Sequence, residues 1–219
     1  MNIPISPRLL SCAKLVRAGD RVADIGCDHG YLSIYLLKNQ IARHCIAADI
    51  NQMPLQSAVQ NAEKFGVREQ MQFFLSDGVE KIPRDFDCLV CAGMGADTMI
   101  SILRAAPWLQ RENYRLILQC QSKTPMLRRY LSDTGWHIAR ENLVRDGKFL
   151  YSVMEVTFQP EQPRLTPAET YLTPALLKSG DPELSEYAAW VINGLKIATS
   201  HRSDPELTAI LETLENTPL

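Results

Sequence analysis

The chain has 219 residues and a formal net charge of −2, with 46% hydrophobic and 22% charged residues, proportions that exclude a disordered or collagen-like chain. Its longest apolar runs, such as Leu116-Ile117-Leu118, fall far short of the roughly 20 residues of a membrane-crossing helix, and no basic start followed by an apolar run is present, so the expected location is the cytoplasm with no membrane partner. Near-balanced charge excludes bulk attraction to nucleic acid, and any RNA contact has to come from a local basic patch.

Ser6 to Val16 reads as a helix, with Ser6 as N-cap, Pro7 at the first helical position and Leu9, Leu10, Ala13 and Val16 on one face; Gly19 stops it. Short apolar runs then alternate with longer helical segments. The predicted strands are Arg21–Ile25, Cys45–Asp49, Met71–Leu75, Cys88–Ala92 and Leu116–Cys120, and the helices between them are Tyr31–Lys38, Pro54–Phe65, Asp97–Ala106 and Pro125–Thr134. Each crossover between parallel strands needs a helix, so the alternation predicts a parallel sheet. His137–Val144 and Phe149–Phe158 follow as two strands joined through Asp146-Gly147, a hairpin signal. The expected fold class is therefore α/β, a doubly wound Rossmann-like sheet, mostly parallel with a C-terminal antiparallel hairpin.

Pro160, Pro163, Pro167 and Pro174 interrupt regular structure and mark a boundary. Residues 1–160 are expected to form the main domain and residues 161–219 a helical appendage. On Pro182–His201 the residues Leu184, Tyr187, Val191, Leu195 and Ala198 recur at helical spacing, and Leu207, Ile210, Leu211 and Leu214 do so on a second helix. With a turn at Ser203-Asp204-Pro205, the two should form a hairpin whose apolar face covers itself and part of the main domain. The six cysteines lie among apolar neighbours and read as reduced core residues. Cys88 and Cys91, three apart on a strand, point to opposite faces, and no second pair completes a metal site, so no metal is expected.

The chemistry is concentrated at strand ends. Asp24-Ile25-Gly26-Cys27-Asp28-His29-Gly30-Tyr31 closes the first strand and opens a helix, where glycines let the backbone turn tightly and approach a ligand in the crevice of an open sheet. A dinucleotide reader would carry G-x-G-x-x-G, but the middle glycine is Asp28. An acid there repels a pyrophosphate and attracts a cationic ligand, which favours S-adenosylmethionine over NAD; a merely structural turn is the alternative. Asp49, followed by Ile50, ends the second strand where an acid can accept from ribose hydroxyls, or else cap a helix. Asp77-Gly78 follows the third, suited to an adenine amine or to a plain turn. Ala92-Gly93-Met94-Gly95 ends the fourth, with small residues that leave room for a ligand and a second substrate. These residues form the candidate cofactor site: Asp24, Gly26, Cys27, Asp28, Gly30, Tyr31, Asp49, Ile50, Asp77, Gly78, Ala92, Gly93 and Met94. Candidate RNA contacts are Arg8, Lys14 and Arg17 on the first helix, Lys123, Arg128 and Arg129, and Lys196 with His201-Arg202.

Arg8-Leu9, Ala23 to Leu32, Ala92-Gly93-Met94-Gly95, Leu116-Ile117-Leu118-Gln119, Asp146-Gly147-Lys148 and Leu172-Thr173-Pro174-Ala175-Leu176-Leu177 together resemble the bacterial tRNA (adenine(22)-N1)-methyltransferase family, the TrmK-like enzymes, over nearly the whole chain. The resemblance implies a class I methyltransferase fold with a coiled-coil-like appendage, S-adenosylmethionine as donor and an adenine of tRNA as acceptor. Asp28 and His29 become candidate catalytic residues, and Gly95, Gln119 and Gln121 candidates for the acceptor-base pocket. Two positions depart from the family pattern, which has glycine where this chain has Ala96 and Pro-Asn where it has Cys120-Gln121; the second faces the crevice and bears on the acceptor base. The competing readings are a methyltransferase of another RNA, a protein or a small molecule, an NAD-dependent oxidoreductase, and a non-catalytic RNA-binding module. A monomer is the expected state.

Overall fold

The computed structural model describes residues 2–201 and 204–218. Helix α1 (Pro7–Leu15) is capped by the Ser6 hydroxyl, which accepts from the Leu9 amide. The chain then runs β1 (Asp20–Ile25), α2 (Tyr31–Lys38), β2 (Ala42–Asp49), α3 (Gln52–Lys64), β3 (Met71–Leu75), β4 (Cys88–Met94), α4 (Ala96–Ala105), β5 (Arg115–Cys120), α5 (Thr124–Asp133), β6 (Trp136–Asp146) and β7 (Phe149–Phe158). The seven strands lie in the order β3-β2-β1-β4-β5-β7-β6. The first five are mutually parallel, and β7 pairs antiparallel with both β5 and β6. This is the doubly wound, mostly parallel sheet with a terminal hairpin that the alternating pattern predicts. Strand β4 runs two residues beyond the expected Ala92, because Met94 still pairs with Cys120 after an irregularity in register.

Alternate residues of each strand feed opposite apolar layers, as the twofold period of a strand requires. Val22, Cys45, Ala47, Cys88 and Val90 pack with α1, α2 and α3, while Ala23, Ile25, Ile46, Leu89 and Cys91 pack with α4 and α5. Cys88 and Cys91 thus lie in different layers. All six cysteines are free and buried, and burial pushes the thiols of Cys88 and Cys91 up to about 12, so they stay protonated at neutral pH.

The C-terminal part contains α6 (Pro174–Leu177), α7 (Leu184–His201) and α8 (Pro205–Glu215). A third apolar cluster joins Leu172, Leu176, Leu184, Tyr187, Val191, Leu195, Ile210 and Leu214 to Leu143 of β6, so the helices cover one another and part of the hairpin. Asp204 caps α8 by accepting from the amides of Glu206 and Leu207; Arg202 and Ser203 lie outside the described residues. No described helix is long and apolar enough to cross a membrane.

The proline-bearing stretch is held to the sheet by a buried polar junction. Arg128 of α5 is fully buried; its Nη2 lies 2.5 Å from Glu141 Oε1 and its Nη1 donates to the carbonyls of Thr170 at 3.1 Å and Tyr171 at 2.7 Å. Thr173 donates to the other oxygen of Glu141 at 2.6 Å and caps α6. Arg128 therefore departs from its expected role in RNA contact. The face of α5 that carries it is covered by the appendage, and a guanidinium spent on a carboxylate and two carbonyls has no surface to offer a phosphate.

Candidate active site

Strand order reverses between β1 and β4, and in open α/β sheets such a switch point opens a crevice at the carboxyl ends of the strands. A cavity of about 480 Å³ lies there. Of the expected cofactor residues, Asp24, Gly26, Cys27, Asp28, Asp49, Ile50, Asp77, Gly78, Ala92, Gly93 and Met94 line it. Gly30 and Tyr31 do not. Gly30 sits in the left-handed region at the start of α2, where a Cβ would stand 3.0 Å from that of Ala58, so its smallness serves the packing of α2 on α3. Tyr31 is turned toward the α1–α2–α3 layer.

The carboxylates are held differently. Asp24, buried at the end of β1, accepts from the Ser33 hydroxyl at 2.8 Å, and burial raises its carboxyl to about 6. Asp49 accepts the Asp28 amide at 3.1 Å on one oxygen and the Asn51 amide at 2.8 Å on the other. Each oxygen has a second lone pair, which remains for a ligand hydroxyl. Asp28 adopts a left-handed backbone, φ 49°, and its side chain is 68% exposed at the rim, 3.5 Å from His29 Nε2. His29 itself does not line the cavity; it is half exposed and packs against Tyr31.

Space in the crevice depends on absent side chains. A Cβ on Gly26 would come within 2.2 Å of Met94 Cε, and one on Gly78 within 2.9 Å of Ile102 Cγ1; both glycines have positive φ. The left-handed turn at Gly93, φ 82°, is tied down by its amide, which donates to Gln119 Oε1 at 3.0 Å.

Arg8, a candidate RNA contact, is turned toward the crevice. It lines the crevice with its side chain 25% exposed, pairs through Nε with Asp146 at 2.6 Å, lies 5.2 Å above the Tyr151 ring and reaches Gln119 Oε1 at 3.4 Å. Gln119 is fully buried beneath Gly93, so of the three acceptor-pocket candidates it holds the wall from behind. Gly95 lies outside the lining, packed against Ser122 with 2.8 Å between the hydroxyl and a notional Cβ, while Gln121 faces the cavity. Lys14, Arg17, Lys123 and Arg129 are exposed; Arg17 reaches Glu155, Lys123 pairs with Asp97 and Arg129 with Glu206.

Sequence reasoning missed Ser6, Leu9, Leu32, Asn51, Ser76, Thr98 and Ile102, which also line the cavity. Thr98 and Ile102 read only as residues of the predicted helix Asp97–Ala106. Among the described residues no group of three or more His, Cys, Asp or Glu side chains could hold a metal ion.

Comparison with known proteins agrees with this geometry. A family model described as a methyltransferase domain matches residues 5–154. A provisionally named tRNA methyltransferase of Mycoplasma genitalium is 33% identical over 181 residues, covering 80% of this chain and 79% of that protein. The tRNA (adenine(22)-N(1))-methyltransferase of Bacillus subtilis is 31% identical over 154 residues, 70% of this chain and 65% of that one. A Streptococcus pneumoniae crystal structure, provisionally named a tRNA (m1A22) methyltransferase and solved with S-adenosyl-L-methionine, superposes with a TM-score of 0.85 at 28% identity, covering 96% of this chain and 98% of that one. By the extent of these matches the chain belongs to the methyltransferase-domain family and, within it, to the family of the tRNA (adenine(22)-N1)-methyltransferases.

Proposed function

We propose that this chain transfers a methyl group from S-adenosylmethionine to N1 of the adenine at position 22 of tRNA, the reaction named for its Bacillus subtilis relative. The observation that carries this reading is the crevice itself, where Asp24, Asp28, Asp49 and Asp77 converge on one cavity whose walls are glycine turns. Four acids suit a cationic ligand and repel a pyrophosphate, which argues against a dinucleotide. The free lone pairs of Asp49 suit the two hydroxyls of a ribose, and Gly26 and Gly78 leave room for a nucleoside that any side chain would exclude.

When bound, the donor supplies an electrophilic methyl on a sulfonium, which the ring nitrogen attacks in line. Adenine N1 is already a free nucleophile at neutral pH, so the protein is asked mainly for alignment, worth about 7 to 11 kcal/mol in favourable cases. N1 lies on the pairing edge, so the base has to leave its stack to enter the crevice. The wall formed by Gly93 and Met94, with the Gln121 side chain beside it, is the surface we assign to the acceptor base. Gln119 positions that wall through the Gly93 amide, and Arg8 braces Gln119. Methylation places positive charge on the ring, and the Asp28 carboxylate at the rim stabilises it by charge; His29, outside the cavity lining and 3.5 Å from Asp28, acts through that carboxylate. Lys14, Arg17, Lys123 and Arg129 remain as the phosphate contacts of this reading, whose tRNA affinity should fall steeply as salt rises.

The test is transfer of labelled methyl to unmodified tRNA, followed by digestion to nucleosides. Label in 1-methyladenosine supports the reading, together with loss of transfer but retained folding in Asp28→Ala. Label in another nucleoside, or donor binding with no transfer to any tRNA, overturns it.

A further inference from the structure

Next to the crevice lies a second cavity, about 720 Å³, between the loop after β5, the β6–β7 hairpin and the outer face of α7. Its lining is rich in rings, and two of them are left open to solvent: Trp190 is 68% exposed and Phe149 54%. Tyr187 lies 5.8 Å from Trp190, and Phe149 lies 6.2 Å from Tyr151. Such large exposed apolar side chains, gathered in one concavity, mark an interaction site rather than scattered surface residues.

Three further observations identify the occupant. The groove adjoins the crevice at Gln121, which lines both. No carboxylate occurs among the described residues lining the groove, which contrasts with the four acids of the crevice, and Lys123 stands in its wall. Cations sit over its rings from outside, Lys148 at 5.2 Å from the Phe149 ring centre and Arg8 at 5.2 Å from that of Tyr151. Flat rings with Lys148 beside them, Arg8 and Lys123 shared with Asp146 and Asp97 outside the lining, and the amides of Gln121 and Asn193 in an acid-free wall suit an unstacked base on a phosphate backbone.

We infer that this groove is a second RNA subsite, in which an unpaired nucleobase flanking the target adenine stacks on Trp190 and Phe149 while the target enters the crevice past Gln121. The inference rests on the tRNA reading above and deepens it. It assigns to the appendage a direct part in substrate recognition, through the side of α7 where Trp190, Asn193 and Ile197 stand exposed at the edge of the apolar cluster with α6 and α8.

The test uses the full chain and its Trp190→Ala, Trp190→Phe and Phe149→Ala variants, all at exposed positions. In Trp190→Ala the KM for tRNA should rise roughly tenfold, in keeping with the loss of one stacked base, with kcat and donor affinity unchanged; Phe149→Ala should act in the same direction, and Trp190→Phe, which keeps a ring, should stay near the wild type. Of the three tryptophans, Trp190 is the exposed one, so tRNA should quench the wild-type fluorescence and leave that of Trp190→Phe little changed. An unchanged KM in both alanine variants overturns the inference. So does a light-scattering result in which Trp190→Ala merely converts an associated chain to single copies with tRNA affinity intact, since the groove would then be a contact between copies. If the wild type methylates no tRNA, the proposed reaction fails, and equilibrium binding of tRNA to the same proteins still decides the groove: weaker binding by the alanine variants supports it, equal binding overturns it.

Discussion

In the crevice the polar groups are carboxylates steadied by the main chain, with Asp49 holding the Asp28 and Asn51 amides and Gly93 anchored on Gln119. At the junction behind α5 the arrangement is inverted: a cation, Arg128, is steadied by Glu141 and by the carbonyls of Thr170 and Tyr171 from a segment more than forty residues away. The crevice leaves hydrogen-bonding capacity free and faces solvent; the junction is buried, with the Arg128 guanidinium fully engaged by protein oxygens. A group with spare capacity is available to a ligand, whereas one whose capacity is used by the protein serves the fold, and this difference predicts what each substitution breaks.

The largest effect should come from Arg128→Met, which strands the Glu141 carboxylate in the interior. Breaking a buried pair from one side costs about 3 to 5 kcal/mol, so urea unfolding should shift to much lower concentration, and adding Glu141→Leu should recover part of the loss. Asp49→Ala should do the reverse. Losing two charge-assisted hydrogen bonds to a ribose should weaken donor binding on the order of a hundredfold by titration calorimetry, with a much smaller change in unfolding.

A pH titration sharpens the comparison inside the crevice. The Asp24 carboxyl is raised from 3.8 to about 6 by burial, so between those values the folded chain holds a proton that the unfolded chain has lost. The stability it contributes is full below pH 3.8 and is lost as pH rises through about 6. Donor affinity should run the other way, weakening by up to about tenfold per unit as pH falls below about 6, because a cation favours the ionised form. Asp24→Asn should flatten both profiles, and a wild-type donor affinity independent of pH across that range would remove Asp24 from the site. The smallest effect belongs to Arg129→Ala, which breaks an exposed pair with Glu206 and should change stability by less than about 1 kcal/mol.

The same contrast explains what was legible in the sequence. Glycine turns and strand-end acids are local features, since Asp24, Gly26, Asp28, Asp49, Gly78 and Gly93 each need only a few neighbours to define the backbone they occupy, and all of them line the crevice. Periodicity likewise exposed the strand alternation and the Asp146-Gly147 hairpin. Arg8 and Arg128 read alike from the sequence, as candidate RNA contacts, because the carboxylates that hold them, Asp146 and Glu141, lie 138 and 13 residues away, beyond the reach of any local pattern; only Arg128 is buried out of reach of a phosphate. Gly30 shows the limit from the other side: its conformation was readable, but its partner Ala58, on another helix, makes it a packing glycine.

The most direct test of the central claim compares two tRNA transcripts that differ only in carrying adenine or guanine at position 22, the site named for the Bacillus subtilis relative, each incubated with the chain and labelled S-adenosylmethionine. The account predicts label in the first, recovered as 1-methyladenosine at that position, and none in the second. Equal labelling of both transcripts, or label at any other position, would contradict it.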